Sequence, residues 1–165
     1  MRGFPKVSKG DFMILVSACL AGVETRYDAT HRLNEKIREL VMSGRALPLC
    51  PEVMGGRKIP REPVEITGGT GRDVLSGRAR IVDKKGGDHT AEIAAGVEDF
   101  VKAAKSMGVT AVILKEKSPA CGVKKIHDGT FTGTLVAAPG LLAAALEREN
   151  IKIYTEENFL ELLEK

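Results

Sequence analysis

The chain holds three cysteines, and each stands at or just beyond the end of a short apolar run. Cys19 closes Met13-Ile14-Leu15-Val16-Ser17-Ala18, Cys50 closes Ala46-Leu47-Pro48-Leu49, and Cys121 follows Ala111-Val112-Ile113-Leu114. Runs of this kind suit strands buried on both faces of a parallel sheet. If the strands are neighbours, their carboxyl ends share the edge where open α/β sheets place ligands, and the three thiols converge. Converging thiolates suit a soft metal or an iron–sulfur centre with one open position. Two of the three could equally be inert, since free cysteine is among the most buried residue types. No pair forms C-x-x-C, so no local motif supports a zinc ribbon.

Other candidates surround these thiols. Glu52, two residues beyond Cys50, is a general acid or base if it reaches the site, and a solvated loop glutamate if it does not. Glu65, in the same proline- and glycine-rich stretch, has a weaker claim. Ser118 precedes Pro119 and stands three residues before Cys121, which either brings its hydroxyl to a ligand or simply starts a turn. Ser17 and Lys115 occupy strand ends where a doubly wound sheet presents functional groups, although Lys115 and Glu116 also read as a surface ion pair. His31, His89 and His127 are scattered without metal-ligand spacing, and no glycine-rich phosphate cradle occurs.

The elements that must position these residues alternate strand with helix. Strands are expected at 13–17, 46–49, 79–83, 110–114 and 151–154, and helices at 32–43, 90–107, 141–149 and 156–164, with Thr90 as a cap and Gly129 to Gly133 as a turn or hairpin. This order predicts an α/β fold: a Rossmann-like, three-layer parallel sheet with helices on both faces. Residues 1–12 read as an N-terminal extension, and 13–165 as a single domain with a Gly/Pro-rich binding loop or lid at about 51–77.

Bulk properties narrow the function classes. At 165 residues a single core buries about 70% of the unfolded surface without staples. An odd, widely spaced cysteine set argues for a reducing, cytoplasmic compartment, and no apolar run approaches a membrane span. A net charge of +3 from 25 basic and 22 acidic residues, with 4% aromatics and no tryptophan, does not signal a nucleic-acid binder. The basic residues Arg26, Arg57, Lys58, Arg61 and Arg72 are either phosphate receivers or solvated.

Val16-Ser17-Ala18-Cys19-Leu20-Ala21-Gly22, Arg26-Tyr27-Asp28, Cys50-Pro51-Glu52-Val53-Met54-Gly55-Gly56, Pro60-Arg61, Gly71-Arg72-Asp73-Val74, Ile113 to Gly122 and Asp128-Gly129-Thr130-Phe131 together resemble the thiouracil desulfidase family, over residues 13 to 158. The resemblance implies a [4Fe-4S] cluster held by Cys19, Cys50 and Cys121, with the fourth iron left free for the sulfur of a thiolated small-molecule substrate. It further implies Glu52 as acid/base and Ser118 as the polar residue near the substrate, in a non-redox desulfuration releasing hydrosulfide. A base within RNA stays open as substrate, and aerobic purification would leave zinc or no metal in such a site. The chain departs from the family pattern at Ala29, Ala120 and His127, and at Arg57 and Lys58, which occupy an often apolar stretch. Two further readings stand beside the enzyme: a non-catalytic metal- or sulfur-binding module, and a zinc-binding structural domain.

Overall fold

The computed structural model describes residues 13–164, so the extension expected at 1–12 lies outside the described residues. Strand β1 (Ile14–Ser17) runs into a 3-10 turn at Ala18–Ala21, and helix α1 (Glu35–Met42) returns the chain to β2 (Ala46–Leu49). Three short elements follow: α2 (Pro51–Met54), β3 (Val64–Thr67) and α3 (Gly71–Leu75). Strand β4 (Arg80–Asp83) leads to the long α4 (Thr90–Ser106) and β5 (Ala111–Leu114). The small β6 (Ile126–His127) and β7 (Leu135–Val136) pair antiparallel before α5 (Leu141–Arg148), β8 (Lys152–Thr155) and α6 (Leu160–Leu163).

The main sheet has the order β2-β1-β5-β8 and every pairing in it is parallel. Register is fixed by Ile14 opposite both Ala46 and Ala111, and by Ala111 opposite Lys152. Because side chains alternate along a strand, β1 and β5 feed two cores. Leu15, Val112 and Leu114 pack with Val97 and Phe100 of α4 and Leu141 and Leu142 of α5. Ile14, Val16, Ala111 and Ile113 pack on the opposite face with Ile37 and Leu40 of α1 and with Phe159. The result is the expected three-layer α/β arrangement. From β1 the chain first crosses to β2 on one side and later to β5 on the other, so the carboxyl ends of β1 and β5 flank a topological switch point.

Several expectations are corrected. The Gly/Pro-rich stretch 51–77 is not a long loop or lid, because it folds into α2, β3 and α3. Pro51 suits the first turn of a helix, β3 pairs antiparallel with β4, and Thr70 with Asp73 closes a capping box on α3. Proline and glycine shorten these elements without preventing them. Helix α1 starts at Glu35 because Asn34 caps it, accepting the Lys36 and Ile37 N–H groups. Thr90 does not cap α4; its hydroxyl accepts the Ile81 N–H at 2.8 Å and so ties the helix to β4. The last helix begins at Leu160 rather than Glu156, whose carboxylate turns back to the Glu116 N–H.

Helix α2 sits directly on α4 through two glycines. A Cβ on Gly96 would overlap the Pro51 carbonyl, and one on Gly55 would overlap the Glu92 carbonyl. Gly96→Ala should therefore destabilise, although intrinsic helix propensity alone would favour alanine by about 1 kcal/mol. Backbone on both sides leaves no room to yield, so we expect a net loss of about 1–3 kcal/mol in urea unfolding.

Candidate active site

Three adjacent strands deliver the cysteines to one edge of the sheet. Cys19 lies in the turn after β1, Cys50 is the residue before α2, and Cys121 lies in the turn beyond β5. All three are free and line one cavity with Ser17, Glu52, Lys115 and Ser118. Burial pushes the Cys19 thiol up from 9.0 to about 11, and the nearby Cys50 charge adds to the effect. Burial also raises Cys50, partly offset by the Val53 N–H. Cys121 is raised well above an ordinary thiol by burial, opposed by its hydrogen bond with Ser17 and reinforced by Cys50 and Cys19. The three sulfurs thus lie within electrostatic range of one another.

Side-chain acceptors hold the irregular loop that carries Cys121. Glu116, only 1% exposed, accepts the Val123 N–H at 2.7 Å and the Lys124 N–H at 3.1 Å. Ser118 Oγ accepts the Ala120 and Cys121 N–H groups, both at 3.1 Å, so it forms the turn while also lining the cavity. Ser17 Oγ accepts the Lys115 N–H at 3.0 Å, and Lys115 Nζ donates to Glu156 and to the Glu116 carbonyl, each at 3.0 Å. These bonds replace the ladder that a helix or sheet would supply.

Glu52 is gripped by two arginines. Its Oε1 pairs with Arg57, and its Oε2 accepts from Arg61 Nη2 at 3.2 Å. Arg57 is buried and reaches on to the Glu62 carbonyl at 3.1 Å and Glu92 at 3.7 Å. Glu92 in turn faces His89, which contacts Asp83 at 2.8 Å. The basic residues grouped from the sequence therefore separate: Arg57 and Arg61 pair with Glu52, Arg72 pairs with Glu147 elsewhere, and Arg26 lines the cavity together with Arg61. Glu65 does not line the cysteine cavity. It lies in an adjoining groove with Arg26, Tyr27, Lys84 and Phe131, and its carboxylate accepts the Gly129 and Phe131 N–H groups at 3.0 and 3.2 Å.

The model of the 2-thiouracil desulfurase family matches residues 14–158. The chain belongs to that family. It is 45% identical to the uncharacterized protein YbbK of Bacillus subtilis (strain 168), covering 92% of this chain and all of that protein. Among solved structures, it matches a [4Fe-4S]-dependent thiouracil desulfidase, TudS, with a TM-score of 0.82 and 36% identity, over 92% of this chain and 95% of that one.

The donor set fits the cluster named for that neighbour. Three soft sulfurs face the cavity, and soft thiolates select iron–sulfur groups. Among the described residues, no three His, Cys, Asp or Glu side chains close on a point as one metal ion requires. A mononuclear zinc draws its thiolates onto one ion at about 2.3 Å, whereas a cluster offers each thiolate a separate iron.

Sequence reasoning gave no role to Arg57 as a partner of Glu52, or to Glu116 and Glu156 as holders of the Cys121 loop. Arg57 had a signal, a basic residue where the family is often apolar, but Glu156 acts across 40 residues and had none.

Two outcomes test this construction. Glu116→Ala removes the acceptor from two backbone N–H groups and should cost about 1–3 kcal/mol in urea unfolding. In cluster-free protein, a thiol whose pKa is raised by folding stabilises fully below its unfolded value of 9.0, and that contribution is lost as pH climbs through about 11. Denaturant midpoints of that form should fall across this window, and Cys19→Ser should flatten the fall.

Proposed function

We propose that the protein is a [4Fe-4S]-dependent, non-redox desulfidase that removes sulfur from a thiolated pyrimidine or related thiocarbonyl compound. The observation that carries this reading is the meeting of Cys19, Cys50 and Cys121 in one cavity whose wall also presents Glu52. A module that only stored a metal or sulfur species would have no use for a charge-anchored carboxylate beside the thiols. Cys19, Cys50 and Cys121 would hold the cluster, which when bound would supply a soft Lewis acid toward a thiocarbonyl sulfur at an iron these three thiolates leave free.

The chain's own residues do the rest. Arg57 and Arg61 fix the Glu52 carboxylate through charge-assisted hydrogen bonds, so it meets the reacting carbon without searching rotamers. Glu52 takes a proton from the water that adds to that carbon. That proton is returned to the sulfur as the carbon–sulfur bond breaks, and Glu52 then takes the proton of the hydroxyl left on the carbon, so that the products are the oxo compound, hydrosulfide and one proton, with no net electron transfer. The Ser118 hydroxyl, fixed by its two N–H donors, keeps its own proton available to a substrate in the cavity. Ser17 and Lys115 brace the floor between β1 and β5.

The experiment is anaerobic reconstitution followed by sulfide release from 2-thiouracil, 4-thiouracil and a thiolated oligonucleotide. Cys19→Ala, Cys50→Ala and Cys121→Ala should each lose the brown chromophore. Glu52→Gln should keep it and lose turnover by about a hundredfold or more. A cysteine variant with intact chromophore and full activity defeats the ligand assignment, and a fully active Glu52→Gln defeats the acid/base role.

A further inference from the structure

The guanidinium of Arg57 is held from three sides. Its side chain is 3% exposed, and each of its nitrogens faces an oxygen from a different stretch of chain: Nη1 meets the Glu52 carboxylate of α2, Nη2 donates to the Glu62 carbonyl at 3.1 Å, and Nε lies 3.7 Å from Glu92 Oε2 in the first turn of α4. A planar fork with three such partners has one orientation, and that orientation sets where the Glu52 carboxylate stands.

Glu92 is the anchor that needs support. Its side chain is 53% exposed, and a carboxylate so placed holds a cation only weakly on its own. Here the same Oε2 lies 3.4 Å from Nδ1 of His89, whose Nε2 is 2.8 Å from Asp83. Asp83 is itself fixed, accepting the Lys85 and Gly87 N–H groups at 2.9 Å each, and the His89 N–H donates to the Ile81 carbonyl at 2.8 Å. The imidazole therefore confines a side chain that would otherwise swing in solvent. Neither His89 nor Glu92 lines the cysteine cavity, so any effect they have there passes through Arg57. We propose that Glu92 and His89 are positioning residues for the Glu52 carboxylate, acting through Arg57. This inference rests on the desulfidase reading for the acid/base role of Glu52. A shift of about 1 Å in a reacting group costs on the order of a hundredfold. Loosening one anchor costs less, because Arg61 still holds the other carboxylate oxygen at 3.2 Å.

The test is anaerobic steady-state sulfide release from 2-thiouracil and 4-thiouracil by the cluster-loaded protein. Glu92→Gln keeps the side-chain length and removes the charge, and His89→Asn removes the ring while leaving a residue that caps helices well. Both should keep the brown chromophore and hold KM within about twofold while kcat falls about three- to tenfold, since loss of orientation at the reacting group acts on kcat. In an Arg57→Met background neither should lower kcat further, because residues that act through one partner are not additive. Glu92 also favours the N-terminal dipole of α4, a structural benefit that would survive the loss of Arg57. Glu98→Gln, which breaks a pair with Lys102 on the same helix, should leave kcat unchanged. An unchanged kcat in both variants, or a loss undiminished in the Arg57→Met background, overturns the proposal. The contact is also read without turnover: the Arg57 Nε–H, followed by NMR in the full chain without cluster, should exchange with water severalfold faster in Glu92→Gln, and equal exchange overturns the proposal as well. If the wild type releases no sulfide while that exchange effect holds, the desulfidase reading fails and the brace on Glu52 stands.

Discussion

The parallel pairing of β2, β1 and β5 is the constraint on which the rest of this structure depends. Parallel register aligns the carboxyl ends of these strands, and the reversal of direction at β1 opens a crevice between the loops that leave them. Cys19, Cys50 and Cys121 are far apart along the chain, and nothing local draws them together. Backbone hydrogen bonds between strands buried on both faces do so. The thiols meet because the two cores, around Leu15 and Val112 on one face of the sheet and Ile113 on the other, can be filled in only one register.

Electrostatics then divides the cavity. Its sulfur side is buried enough to raise every thiol above its ordinary range, which disfavours free thiolates. Its other side is crowded with charge: Arg57, Arg61 and Glu52 form a compact set, extended through Glu92 to His89 and Asp83. Buried charges are tolerable there because each has a partner. The contrast sets sulfur donors on one side of a small cavity and an arginine-held carboxylate on the other.

The strand-and-helix alternation was legible in the sequence because short β-branched runs and the 3.6-residue spacing of Ile93, Val97 and Val101 leave little choice. The candidate thiols were legible because each stands at or beyond the end of a short apolar run. The 51–77 stretch was misread because glycine and proline counts register interruption, not the tight turns that separate α2, β3 and α3. Arg57 and Glu116 escaped because their importance lies in what they touch. A buried arginine aimed at Glu52 and a buried carboxylate aimed at Val123 look, in sequence, like ordinary surface residues. Glu65 has a contact the sequence did not show: its carboxylate holds the loop at Gly129 to Phe131.

Cys50 and Glu52 share a single turn of helix, and that turn is seated against α4 through Gly55 and Gly96 with no slack between backbones. The thiol of Cys50 and the carboxylate of Glu52 are therefore mounted on one rigid bracket, and any drift of it displaces both at once.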